Sequence, residues 1–119
     1  MPTLETTLAK IALRDERFIS SMMHQGSAGA ALDHRISMLA QLGALIGVDG
    51  ATASYIASVQ DALNAGVSPA EIVATLVAVM PSVGIVRASS AAPKIALALG
   101  LEPDQVLEDD DMAWHESRR

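Results

Sequence analysis

Cysteine is absent from all 119 residues. That excludes disulfides, thiolate metal ligands and thiol nucleophiles, so thiol redox chemistry is closed to this chain. Charge is also scarce. Only 18% of residues are Asp, Glu, Lys or Arg, against about a quarter in ordinary globular chains. No basic cluster occurs and the net charge is −6, which argues against a nucleic-acid partner. Long apolar runs are missing too. The uncharged run from Ile72 to Val86 holds 15 residues and is interrupted by Pro81 and Gly84. A membrane span needs about 20, so no membrane is expected. The first residues include Thr3 and Glu5 and form no apolar leader, which makes the cytoplasm the expected location. No motif calls for a cofactor. The three histidines stand at unrelated spacings, and a metal site needs several ligands brought together.

Half of the residues are hydrophobic. A chain of this length is one domain. It carries more apolar surface than one small subunit hides easily. With a membrane set aside, the surplus points to other copies of the same chain. The charge is lopsided as well. Residues 102–119 hold Glu102, Asp104, Glu108, Asp109, Asp110, Asp111 and Glu116 against Arg118 and Arg119, which is −5 of the net −6. The sequence divides into an N-terminal helical segment (1–29), a helical core (30–101) and an acidic tail (102–119), all within one domain. The tail's composition is that of a flexible segment, and Pro103 is placed to open a short turn.

The spacing of apolar residues is helical throughout, and no alternating strand pattern occurs. Residues 3–25 read as one or two helices, and 26–29 as a loop. Asp33 is placed to cap a helix carrying Ile36, Leu39, Leu42 and Ile46, which ends at Gly47 or Gly50. The next helix spans about 51–65, with Tyr55, Ile56, Val59 and Leu63 as its apolar stripe and Gly66 as its C-terminal cap. Ser68-Pro69-Ala70-Glu71 is a capping box with proline at the first helical position. Ile72, Val73, Leu76, Val77, Val79 and Met80 then leave hardly any polar face, so this helix is expected to be buried all round, in part by another subunit. Pro81 and Gly84 break the pattern. A last helix covers about 85–99, with Pro93 expected to kink or split it and Gly100 to cap it.

Three features from Leu32 to Leu101, about 60% of the chain, carry a resemblance. They are Leu32-Asp33-x-Arg35, then Ala62-x-x-x-Gly66-Val67-Ser68-x-x-Glu71-Ile72, and Gly84 before the final helix. Together they resemble the carboxymuconolactone decarboxylase and alkylhydroperoxidase D superfamily. The resemblance implies an all-α, alkylhydroperoxidase D-like bundle that assembles into a homo-oligomer, a trimer or hexamer. It also implies either peroxidase-linked disulfide reduction or decarboxylation and isomerisation of small lactones. The reductases' Cys-x-x-Cys would fall at Ala51 and Ser54, the shared histidine at Ser58 and a glutamate at Met38. All four are replaced here, and with them go the redox pair and the acid/base group.

The remaining polar residues in apolar settings are the candidates for chemistry. Arg87 could clamp a substrate carboxylate in a bidentate fork, or pair internally with Asp61 or Glu71. Lys94 lies seven residues on, on the same helical face. Ser54, Tyr55 and Ser58 cluster at spacings of three and four and occupy the superfamily's reactive positions. Tyr55 could donate a proton to an oxyanion, or it could be a core residue between packing serines. His34 and Arg35 sit in the first turn of a helix, where they either bind an acid or form a solvated end offset by Asp33. His24 follows Met22 and Met23, which are more simply core filler. Trp114 is placed either to anchor the tail to a neighbouring subunit or to hang free. The expectation is cofactor-independent acid/base chemistry on a small organic acid or lactone, with Arg87 and Ser54 binding and Tyr55, His34 and Ser58 handling protons. The alternative is a non-catalytic binding or scaffolding homo-oligomer on the same fold.

Overall fold

A computed structural model of the chain describes residues 3–26 and 31–101. The described residues contain six helices and no strand: α1 Leu4–Ala12, α2 Glu16–Gln25, α3 His34–Val48, α4 Thr52–Asn64, α5 Pro69–Val83 and α6 Ile85–Ala98. The fold class is therefore all-α. The expected loop at 26–29, the turn at Pro103, the acidic tail and Trp114 lie wholly or largely outside the described residues. No described helix is long and apolar enough to cross a membrane.

The chain divides into two compact units, with the boundary in the sequence between His34 and Arg35. In the first, α1 and α2 pair as a helical hairpin. Thr3 Oγ1 accepts from Thr6 N–H at 3.1 Å, and Asp15 Oδ1 accepts from Phe18 N–H at 3.1 Å. These bonds satisfy N–H groups that a helix start leaves open. Arg14 takes a left-handed conformation (φ +56°) to turn the chain between them. Neither helix has a buried residue.

The second unit holds the core. Met38, Leu42 and Ile46 recur every four residues on α3 and are buried. Tyr55, Val59 and Ala62 on α4, and Ala88, Ala91 and Ile95 on α6, recur at mixed spacings of three and four and are buried as well. The α4 stripe differs from its expected form. Ala62 is buried, while Ile56 is 47% exposed, because the inward face rotates toward α6, the helix that α4 packs along. The spacing of the contacts shows how α3 meets α5. Arg35 reaches Glu71, a Cβ at Gly43 would lie 3.3 Å from Val79, and one at Gly47 would lie 3.7 Å from Val83. The offset between partners is constant, so the two helices run side by side in the same direction. Glycine at position 43 is what permits the approach.

Local signals placed the breaks well. Ser68 Oγ accepts from Glu71 N–H at 3.1 Å while Glu71 Oε1 accepts from Ser68 N–H at 3.0 Å, completing the capping box. Gly84 (φ +87°) ends α5. Gly100 (φ +80°) ends α6, with Leu101 N–H donating to Ala96 O at 2.8 Å. The prolines behaved otherwise. α5 runs through Pro81 and α6 through Pro93 without a break. Each proline removes one donor from its helix, and both residues are exposed, where water can serve the freed carbonyls.

Burial of α5 is also less than its composition suggests. Only Ile72 is fully enclosed, while Val73, Val77 and Met80 are 45%, 60% and 39% exposed. These three recur at i, i+4 and i+7, one helical stripe, left uncovered within a single chain.

Candidate functional site

The structure separates the residues that sequence grouped. Ser54 and Ser58 line a hollow of about 440 Å³ between α3 and α4, together with Gln41, Ala44, Leu45 and Asp61. Its only charged lining residue is Asp61, which would repel an acid. His34 opens α3 and is exposed, whereas Arg87 lies beside Asp49, just past the other end of that helix. Arg35 Nη2 donates to both oxygens of Glu71 at 2.7 Å. Glu71 is held below the usual carboxylate range, first by the Ser68 N–H and then by the Arg35 guanidinium.

Tyr55 is completely enclosed in the core. Burial pushes its phenol pKa up, and the nearby Asp49 charge adds to the effect. Its hydroxyl and that of Ser37 are buried with no hydrogen-bond partner among the described residues. A buried hydroxyl left unbonded costs about 1–3 kcal/mol. Tyr55→Phe is therefore expected to leave stability unchanged or raise it by roughly 1 kcal/mol, read from urea unfolding. A clear loss would mean that something bonds the hydroxyl.

The polar constellation that does assemble lies at the C-terminal end of α3. Asp49 leaves the helix in a left-handed conformation (φ +55°), which aspartate tolerates better than most residues. Ser90 Oγ donates to Asp49 Oδ1 at 2.8 Å, and Lys94 Nζ approaches the same oxygen at 3.4 Å. Lys94 also donates to Gly50 O at 3.0 Å, and its ammonium stands 5.8 Å from the centre of the Tyr55 ring. Asp49 is held below its ordinary value, first by the Ser90 hydroxyl and then by Lys94, with a smaller contribution from Arg87. It is a fixed negative charge near neutral pH and a weak base.

Arg87, Ser90 and Lys94 recur at i, i+3 and i+7, one face of α6. Asp49, Arg87 and Ser90 line an open hollow of about 430 Å³, with the backbone turn from Val83 to Val86 as its other wall. Arg87 is exposed. Among the described residues it makes no ion pair, so neither Asp61 nor Glu71 is its partner. The α6 N-terminus beside it has no side-chain cap, so its first N–H groups and positive dipole end remain available to an anion.

Sequence reasoning found Arg87 and Lys94 but missed Asp49 and Ser90. The available signal was the α6 spacing, which puts Ser90 on the same face. Asp49 could be found only through contacts 41 and 45 residues away along the chain. Among the described residues, no three His, Asp or Glu side chains gather as a metal site would require. Set against known proteins, the chain matches no protein-family model, no curated protein and no solved structure.

Proposed function

We propose that this chain is a carboxymuconolactone decarboxylase-like subunit that assembles with copies of itself and binds a small organic acid in the hollow beside Arg87. The observation that carries the reading is Arg87 itself. Among the described residues it is a cation with no ion pair, on the wall of a hollow large enough for a small ligand, beside a helix N-terminus without a side-chain cap. Its planar guanidinium suits a carboxylate bidentately. Ser90, whose proton goes to Asp49, and Asp49 itself can both accept from a hydroxyl on the ligand. Apolar Val83, Ile85 and Val86 would cover its carbon skeleton. Binding without turnover is favoured, because a general base works best with a pKa near the working pH and Asp49 is shifted away from it.

Titration calorimetry with succinate tests this reading. Arg87→Ala should abolish the heat of binding, while circular dichroism and sedimentation stay as in the parent. Arg87→Lys should weaken binding without restoring the fork. Unchanged affinity in Arg87→Ala would remove the site. Loss of assembly in that variant would make Arg87 a structural residue instead.

A further inference from the structure

We propose that the hollow between α3 and α4 binds a small primary amine, as its ammonium ion on an apolar body, independently of the hollow beside Arg87.

The two helices build this hollow from matched stripes. Gln41, Ala44, Leu45 and Val48 stand at i, i+3, i+4 and i+7 on α3, which is one face of a helix. Ser54, Ala57, Ser58 and Asp61 stand at the same intervals on α4. Only residues 49–51 join the two helices. The step from Val48 to Thr52 spans at most about 14 Å, too little to carry the chain back along the roughly 20 Å of α3. α4 therefore retraces α3 along the hollow they share. Val48 and Ser54 lie at the turn, and Gln41 and Asp61 at the far end. Each stripe covers about 10 Å, the scale of a small elongated ligand.

The walls are apolar and the charge sits at one end. Ala44, Leu45, Val48 and Ala57 form the walls, and Val48 is 71% exposed. Asp61 is the only charged residue in the lining, and among the described residues it makes no ion pair. The cations of residues 35–101 stand elsewhere. Arg35 is on Glu71, Lys94 is on Asp49 and Gly50 O, and Arg87 lines the other hollow. The negative charge at the Gln41 end is therefore not offset. An ammonium has three donors and no acceptor. One can go to the Asp61 carboxylate as a charge-assisted bond, and a second can go to the Gln41 amide oxygen. The hydrocarbon body then runs toward the turn and takes Leu45 and Val48 out of water. A carboxylate in the same place would be repelled by Asp61. The volume of about 440 Å³ falls within the range of small-ligand sites.

Hexylammonium chloride, titrated into isotope-labelled protein and followed by NMR, tests the proposal. The backbone signals of Ala44, Leu45, Ala57 and Asp61 should move together along one saturable curve. Asp61→Asn keeps the shape of the hollow and should weaken binding several-fold. Hexanol should bind the parent as weakly as the amine binds that variant, and hexanoate should leave these signals still. Ala57→Leu fills the hollow from an exposed helix position and should abolish binding while circular dichroism keeps the helical signal. Arg87→Ala and saturating succinate should both leave the amine's affinity unchanged, so this site and the acid site fail separately. Unchanged affinity in Asp61→Asn would overturn the proposal, as would shifts gathered on another surface or none at all. An assembly that falls apart in Asp61→Asn, with no amine bound by the parent, would also overturn it and give the hollow to a sister copy's cation.

Discussion

Val77→Asp is expected to convert the proposed assembly into separate protomers that keep their helices. Val77 is the most exposed of the three residues in the α5 stripe, at 60%, between Val73 and Met80. From Ile72 to Val83 the helix carries no charge. A sister copy covering this stripe would bury it against apolar surface, and an aspartate there would have no partner. Burying an unpaired carboxylate costs several kcal/mol, more than one apolar side chain gains. In the isolated chain the same residue faces water and costs only a few tenths of a kcal/mol through lower helix propensity. The two situations separate cleanly. Sedimentation should show the variant at protomer mass at micromolar concentration, with the helical signal of the parent. An oligomer that persists would mean the copies meet elsewhere. A parent that is itself a lone protomer would remove the assembly.

The α5 result shows what the sequence could and could not reveal. Its composition announced an apolar helix, because nothing polar stands on most of its faces. Composition could not say which face the chain covers itself. That was decided by tertiary packing, which encloses Ile72 and leaves Val73, Val77 and Met80 outside. The breaks were legible because they are local. Ser68 and Glu71 are three residues apart, and a left-handed glycine acts on its own backbone. The prolines misled for the opposite reason: whether Pro81 or Pro93 ends a helix depends on packing along its whole length, not on the ring alone. The candidate site was half legible. Arg87, Ser90 and Lys94 share a helical face by spacing, whereas Asp49 joins them only through tertiary contact. Tyr55, Ser54 and Ser58 looked like one cluster because they are neighbours on α4. Packing then turns Tyr55 into the core and leaves the serines on a different hollow.

Leu42→Ala is expected to cost about 2–5 kcal/mol, the largest loss of any single change considered. Leu42 is completely buried at the middle of α3, one turn from Met38 and one from Ile46. Gly43, beside it, lies close against Val79 of α5. The alanine would leave a cavity that this tight contact prevents the helices from closing, so the transfer and void terms add. In a domain whose whole stability is about 5–15 kcal/mol, such a loss shifts the urea midpoint strongly. Gly47→Ala tests the same helix in the other direction. A Cβ there would sit 3.7 Å from Val83 Cγ1, an ordinary contact, and alanine is favoured over glycine in a helix interior by roughly 0.5–1 kcal/mol. That variant should unfold later than the parent. The pair also bears on function, because α3 delivers Asp49 to the hollow from its far end. Loosening the helix at Leu42 should weaken succinate binding before global unfolding begins, and tightening it at Gly47 should not. If Leu42→Ala unfolds at the parent's midpoint, α3 is not part of the cooperative core, and the placement of Asp49 beside Arg87 loses its support.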